Sequence, residues 1–159
     1  MYNADEMGTY CRALPDSTSI ARKQHQHGRG FKMAKGHITA LVHNSMEGAR
    51  EKLLVIGKSN TLQCFQDVKT LPVMYEFSHN SWITGSIWTD WLKNWNKCLE
   101  KEKKKIVLLI DNCSAHADVL GGLSQIDIGR LPPNSITIMQ RCDLGIIRTM
   151  KAYFRYEMQ

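Results

Sequence analysis

The stretch Ile106-Val107-Leu108-Leu109-Ile110-Asp111-Asn112 decides the fold. Five consecutive aliphatic residues are typical of a strand buried on both faces, and such strands occur in sheets that are flanked by helices. The run ends abruptly at Asp111. Because the carboxyl ends of central strands open into a crevice, Asp111 is either a ligand in that crevice or a residue that forms a turn.

A strong helix precedes this strand. From Thr84 onward the apolar side chains recur every three or four residues, which places them on one helical face. They are Trp88, Trp91, Leu92, Trp95 and Leu99. A tryptophan stripe at this spacing favours core packing over a base-stacking surface. Thr84 or Ser86 is expected to cap the amino end of the helix.

The remaining elements are shorter. Runs rich in β-branched residues at 37–43 and 53–57 predict a hairpin, and residues 73–77 add an extended piece. Residues 16–36 are polar, basic and punctuated by glycine, which indicates a loop. A further strand is predicted at 136–139, followed by an amphipathic closing helix. This order of elements predicts an α/β or α+β fold.

Composition narrows the class of protein. The 159 residues are 43% hydrophobic and 23% charged, which fits one globular domain. No apolar run approaches the length of a membrane span, and the amino terminus lacks the apolar core of a signal peptide. A formal charge of +6 favours a polyanionic partner. Five scattered cysteines without a Cys-x-x-Cys pair indicate free thiols in a reducing compartment.

Two more aspartates lie at boundaries of predicted elements. Asp5 follows Tyr2-Asn3-Ala4, and Asp143 lies between the predicted strand at 136–139 and the closing helix. With Asp111 they make a set of three acids that are remote in sequence, so only folding can bring them together. Because the chain has fifteen acidic residues, the choice of these three depends on the motifs that surround them.

Those motifs are collinear with a known family. The principal ones are Tyr2-Asn3-Ala4-Asp5-Glu6, Leu54-Val55-Ile56-Gly57-Lys58-Ser59, Trp82-Ile83-Thr84, Leu109-Ile110-Asp111-Asn112-Cys113-Ser114-Ala115-His116, Leu131-Pro132-Pro133-Asn134-Ser135 and Cys142-Asp143. Over nearly its whole length the chain resembles the catalytic domain of pogo and Tigger transposases. This family belongs to the DDE superfamily of endonucleases, whose members include the jerky and centromere protein B relatives.

The resemblance implies an α/β fold of the ribonuclease H-like type, with a mixed sheet flanked by helices. It implies that Asp5, Asp111 and Asp143 are catalytic and bind two divalent metal ions, Mg²⁺ or Mn²⁺, for phosphodiester cleavage and strand transfer. Carboxylate oxygens suit these hard cations. Two ions roughly 3.5–4 Å apart can stabilise both the attacking and the leaving oxygen of an in-line displacement.

The resemblance also suggests supporting positions. His116 and Asn112 belong to the family's Asp-Asn-x-x-x-His pattern and are expected to lie behind the metal ligands, where His116 could approach a phosphate or orient a water. Glu6 neighbours Asp5 on a strand, so the two side chains point to opposite faces and Glu6 is expected to be structural. Cys11 and nearby histidines match no standard zinc spacing, so no zinc site is expected.

Basic residues recur in the closing helix at spacings of three and four. Arg148, Lys151 and Arg155 therefore share one face, which either contacts DNA or is an ordinary solvated surface.

The chain departs from the family pattern at two places. Within Gln140–Gly145, Arg141 stands where the family has proline, and Leu144 stands where it has glutamine. Only four residues precede Asp5, so the family's first strand is expected to be barely present. The helix-turn-helix region that family members carry upstream is expected to be absent as well. We therefore expect residues 1–159 to be a fragment of a DDE catalytic domain, truncated at both ends.

Two functions fit the sequence. The first is a metal-dependent DNA endonuclease or transposase domain. The alternative is a catalytically inactive domesticated or relic domain that serves as a DNA-binding, chromatin-binding or protein-interaction module. Both imply DNA as the partner, a nuclear location and no membrane association, and both leave a homo-oligomer open.

Overall fold

The computed structural model describes residues 1–10, 36–49, 51–113, 115–116, 122–132 and 142–157, without the side chains of Cys64, Asp143 and Leu144. The described residues form a six-stranded sheet with a helix on each face. The strands are β1 Tyr2–Tyr10, β2 His37–Ser45, β3 Leu54–Gly57, β4 Met74–Phe77, β5 Ile106–Ile110 and β6 Ile126–Arg130. The helices are α1 Gly85–Glu102 and α2 Ile147–Glu157, and shorter turns occur at Gln63–Phe65 and Cys142–Ile146.

The sheet is mixed. Its strand order is β4-β3-β2-β1-β5-β6, and β2 runs antiparallel to both β1 and β3. The pairs β1–β5, β3–β4 and β5–β6 are parallel. The carboxyl ends of every strand except β2 therefore lie at one edge, which we call the carboxyl edge. The arrangement confirms the predicted α/β fold of the ribonuclease H-like type.

Helix α1 covers one face of the sheet as its spacing predicts. Trp88, Trp91, Leu92 and Leu99 are buried against strand residues that include Leu41 and Leu108. Thr84 caps the helix, because its Oγ1 accepts a hydrogen bond from the Ile87 amide at 3.4 Å. The predicted hairpin, the extended piece at 73–77 and the closing helix are also present.

Other expectations are corrected or lie outside the described residues. Strand β1 has nine residues with Asp5 near its middle, so the expectation of a barely present first strand is wrong. Strand β5 is buried mainly on its α1 face, since Val107 on the other face is 41% exposed. Sequence reasoning also missed β6. The predicted strand at 136–139 and the predicted loop at 16–36, except Gly36, lie outside the described residues.

The opposite face of the sheet holds a second, smaller core. Met7, Ala40 and Val42 pack there against Cys142 and Ile147, where the chain enters α2. This packing holds the amino end of α2 against β1 and β2. In the part of the chain that the structure describes, neither helix is both long and apolar enough to cross a membrane.

His43 links the sheet to α1. Its ring lies edge-on to Trp91 and Trp95, with centroid distances of 5.1 and 5.2 Å, and the residue is 5% exposed. Burial disfavours the imidazolium and lowers the pKa of His43 to about 4, although a backbone hydrogen bond with Leu41 works in the opposite direction. The folded protein therefore holds His43 in its neutral form at neutral pH.

The lowered pKa of His43 predicts acid sensitivity. An unfolded histidine titrates near pH 6.5, so the stabilisation is complete above that pH and is lost as the pH falls towards 4. We expect the free energy of unfolding to drop by about 2 kcal/mol between pH 7.5 and 5 through this residue alone. Urea unfolding at several pH values measures the change. His43→Phe keeps the aromatic packing and should remove this part of the pH dependence; an unchanged profile in His43→Phe would contradict the assignment.

Candidate metal centre at the carboxyl edge

Two of the three predicted acids belong to neighbouring segments of the sheet. Strands β1 and β5 are parallel neighbours, and Asn3 pairs with Leu109. Asp5 lies two residues beyond Asn3 within β1, and Asp111 lies two residues beyond Leu109, directly after the end of β5. Neighbouring strands are about 4.8 Å apart, so both acids belong to the carboxyl side of this pairing. Sequence alone could not supply this register, because 105 residues separate the two acids.

The surroundings of the two acids differ. Asp5 is 7% exposed, and its Oδ1 accepts a hydrogen bond from the Glu6 amide at 2.8 Å. Asp111 is more open, with 23% of its side chain exposed. Its Oδ1 accepts a hydrogen bond from the Cys113 amide at 3.1 Å, which turns the chain directly after β5. The pair is thus fixed by backbone donors and still reachable from solvent through Asp111.

His116 lies between two carboxylates. Its Nε2 is 2.8 Å from Glu6 Oε1, and its Nδ1 is 2.8 Å from Asp111 Oδ1. The Nδ1 contact has ion-pair distance but is too bent for a well-formed hydrogen bond. The ring is 1% exposed and stacks on Trp88 at a centroid distance of 4.4 Å. The Arg130 guanidinium donates to the His116 carbonyl at 2.6 Å, which anchors the backbone.

These contacts favour the charged form of His116. Burial by itself lowers the pKa of His116, but the hydrogen bond and charge of Glu6, followed by the charge of Asp111, outweigh it and raise the pKa above its ordinary value. Only the imidazolium offers a proton at both ring nitrogens. In that form the ring offsets part of the negative charge that Glu6 and Asp111 place at the edge.

Asn112 lies beside the acids with its side chain directed elsewhere. Its Nδ2 donates to the Leu131 carbonyl at 3.0 Å, which ties the segment after β5 to the segment after β6. Asn112 thus holds two neighbouring strand ends together. The basic residues predicted to contact DNA lie on α2, where Arg148 and Arg155 are exposed and Lys151 is partly exposed.

The backbone of Asp143 lies in the turn Cys142–Ile146, and its side chain is outside the described residues. A buried residue, Asn3, fixes the start of this turn. Asn3 Oδ1 accepts from the Cys142 amide at 3.0 Å, and Asn3 Nδ2 donates to the Leu109 carbonyl at 3.2 Å. One side chain therefore joins β1, β5 and the turn that carries Asp143.

The Cys142 thiol makes a second contact between this turn and the sheet. Cys142 is fully buried, and its Sγ donates to Asn44 Oδ1 at 3.0 Å. Asn44 pairs with Asn3 across β1 and β2, so two asparagines hold the same turn. Sequence reasoning missed this arrangement. The available signal was an asparagine at the start of a β-rich stretch, because asparagine is depleted in strands unless its side chain has partners.

The donor chemistry of the edge suits a hard cation. Asp5 in β1 and Asp111 directly after the neighbouring β5 offer carboxylate oxygens, the ligand type that Mg²⁺ prefers. Among the described side chains, no group of three His, Cys, Asp or Glu residues has an arrangement that could hold a metal ion. A complete site therefore needs a further ligand, and Asp143 is the residue that the sequence predicts.

Comparison with known proteins identifies the class. The family described as DDE superfamily endonuclease matches residues 35–159, and the chain therefore belongs to this family. It is a transposase-like domain of the pogo and Tigger type. No solved structure is significantly similar to the chain.

Relatives are found from mammals to yeast. The chain is 30% identical to Tigger transposable element-derived protein 4 of Mus musculus, over 98% of this chain and 30% of the relative. It is 29% identical to the Jerky protein homolog of Homo sapiens, over 97% of this chain and 29% of the relative. It is 26% identical to ARS-binding protein 1 of Schizosaccharomyces pombe, over 98% of this chain and 31% of the relative. The chain thus spans about 30% of the length of these relatives.

The Asn3 contacts predict a large stability effect. In Asn3→Leu the Cys142 amide and the Leu109 carbonyl lose their side-chain partner, which should cost roughly 2–4 kcal/mol in the free energy of unfolding. Hydrogen exchange should accelerate most at Cys142. Asn44→Ala is the matched control on the paired strand, and it should cost under about 1 kcal/mol because a thiol is a weak donor. Equal losses in the two variants would contradict the role of Asn3.

Proposed function

We propose that the protein is a metal-dependent DNA endonuclease domain whose catalytic acids are Asp5, Asp111 and Asp143. The observation that supports this proposal is that Asp5 lies in β1 and Asp111 directly follows β5, the parallel neighbour of β1, in a chain of the DDE superfamily. Asp143 would complete the site from the turn before α2, which Asn3 holds next to β1 and β5.

The proposed ions are Mg²⁺ or Mn²⁺, held by the three aspartates. When bound, a pair of such ions supplies charge stabilisation for the attacking and leaving oxygens at phosphorus. The protein's own contribution is to hold the carboxylates in place. The Glu6 amide orients Asp5, and the Cys113 amide orients Asp111. His116 lies between Glu6 and Asp111, and in its protonated form it limits the repulsion between these two acids before a cation binds.

DNA is the proposed substrate. The chain carries a formal charge of +6, and α2 presents two exposed arginines, Arg148 and Arg155, with Lys151 between them. These three residues are proposed to contact phosphates. The name of one relative, ARS-binding protein 1, states binding for that protein, and we extend DNA binding to this chain by similarity. On this proposal the protein acts in the nucleus.

A binding module without catalysis is the second candidate. The observation that favours it is the changed sequence around Asp143, where Arg141 replaces a family proline and Leu144 replaces a family glutamine. Proline restricts the backbone before the acid, and glutamine offers polar groups that orient ligands. Their loss bears on the placement of Asp143 and leaves the other two acids unchanged.

Asp111→Asn separates the two candidates. The variant keeps the shape of the side chain and removes its charge, so Mg²⁺-dependent or Mn²⁺-dependent nicking of supercoiled DNA should fall by at least roughly 100-fold, since even residues that only orient metal ligands cost 10–100-fold. Asp127→Asn makes the same charge change at an exposed position of β6 and should nick like the wild type. A folded wild type that binds DNA without nicking it, with an affinity indifferent to metal and to Asp5→Ala, would instead establish the binding module.

The basic face of α2 is tested by the salt dependence of DNA binding. Replacing Arg148, Lys151 and Arg155 by glutamine should lower the slope of log affinity against log salt by nearly 3, at about 0.9 per lost phosphate contact. Lys93, Lys97 and Lys101 form an exposed triplet of equal charge on α1, and their replacement serves as the control. If both triple variants keep the wild-type slope, the α2 face is an ordinary solvated surface.

A further inference from the structure

A groove lies at the carboxyl edge beyond the candidate metal centre. It has a volume of about 610 Å³ and is formed by the end of β1, the start of β2, the residue after β3 and the segment before α1. We call it the edge groove. Its main side chains are Tyr10, His37, Lys58, Asn80 and Trp82. None of these residues has a part in the proposed metal centre.

Trp82 is the unusual residue of this groove. It is 54% exposed, whereas Trp88 and Trp91 of the core stripe are 0% and 5% exposed. One side of its ring rests on His37, with a centroid distance of 4.9 Å, and its edge lies over Gly8. Tyr10 adds a second ring that is 55% exposed. The Trp82 indole is held in place on one side and exposed to solvent on the other, and the exposed Tyr10 ring is in the same groove. Together they offer a stacking surface to a planar ligand.

The polar groups of the groove indicate an anionic ligand. Lys58 is the permanently charged residue among its described lining residues, and the other polar groups there are the neutral donors and acceptors of Thr9, Tyr10, His37 and Asn80. No acidic side chain lines the groove within the described residues. Stacking surface combined with a cation and neutral hydrogen-bonding groups is the combination that binds single-stranded nucleic acid.

The position of the groove relates it to the acids. Asp5 and Tyr10 belong to the same strand, and five residues of strand span about 17 Å. Both the groove and the acids lie at the carboxyl edge, and β1 continues past the level at which β5 ends. By strand alternation Tyr10 faces the α1 side of the sheet and Asp5 the α2 side, so a strand of a few nucleotides would connect the groove to the acids by passing over the carboxyl edge.

We propose that the edge groove binds a single-stranded stretch of DNA that flanks the cleaved phosphate, with Trp82 and Tyr10 stacking on bases and Lys58 contacting a phosphate. The proposal rests on the proposed function for the identity of the nucleic acid. It adds a requirement that duplex cleavage alone does not have, namely that bases next to the cleaved position are unpaired and accessible to aromatic rings.

The test uses the full chain with a (dT)₁₀ oligonucleotide in EDTA, so that no cleavage occurs. Because Trp82 is the most exposed of the tryptophans described here, we expect the oligonucleotide to quench tryptophan fluorescence. Trp82→Ala should weaken binding at least fivefold, since stacking contributes about 1–3 kcal/mol per base. Trp82→Phe keeps a ring and should bind nearly as well as the wild type. Lys58→Gln should lower the salt slope by about 0.7.

Controls keep the test decisive. Tyr153→Ala removes a 68% exposed ring far along α2 and should leave the affinity unchanged. Inorganic polyphosphate supplies charge without bases and should not quench the wild type; this comparison needs no variant to fold. Wild-type affinity in Trp82→Ala, or equal quenching by polyphosphate, overturns the proposal. A failure of the proposed metal centre can be distinguished from a failure of the edge-groove proposal, because a protein that never nicks DNA can still show Trp82-dependent binding in EDTA.

Discussion

The parallel pairing of β1 with β5 is the contact on which the candidate site depends. Its register sets Asn3 opposite Leu109 and so brings side by side the two distant segments that contain Asp5 and Asp111. A slip of one residue would turn every side chain of β1 to the opposite face. The pairing is protected from such a slip because Ala4 and Tyr2 face the α1 core while Met7 faces the smaller core beneath α2.

Polar contacts around this pairing divide into two groups with different tasks. Glu6 on the α1 face, His116 and Asp111 form a chain of polar contacts in which the buried His116 ring separates two carboxylates. On the α2 face, Asn3 uses both ends of its amide to join β1, β5 and the Asp143 turn. The first group sets the electrostatics of the edge and the second sets its geometry. Both lie on or beside β1, which makes this strand the centre of the site.

Much of the framework could be predicted from local pattern. The spacing of Trp88, Trp91 and Leu99 predicted α1, and the aliphatic run at 106–110 predicted β5, since each signal lies within one element. The exposed Val107 could not be predicted, because the covering of the second face depends on where α2 packs. Strand β6 was missed because Asp127 and Gly129 weaken its hydrophobic pattern. The sequence motifs indicated the three acids. The contact of Glu6 with His116 and the two hydrogen bonds of Asn3 depend on how the strands pair, which the spacing of residues along the sequence does not reveal.

The most direct test of the central claim is anomalous diffraction from crystals of the protein soaked in Mn²⁺. The account predicts an anomalous peak at the carboxyl edge, within coordination distance of carboxylate oxygens from both Asp5 and Asp111, with Asp143 as a further ligand. Well-ordered Asp5 and Asp111 side chains with no peak between them, or a peak bound solely by other residues, would contradict it.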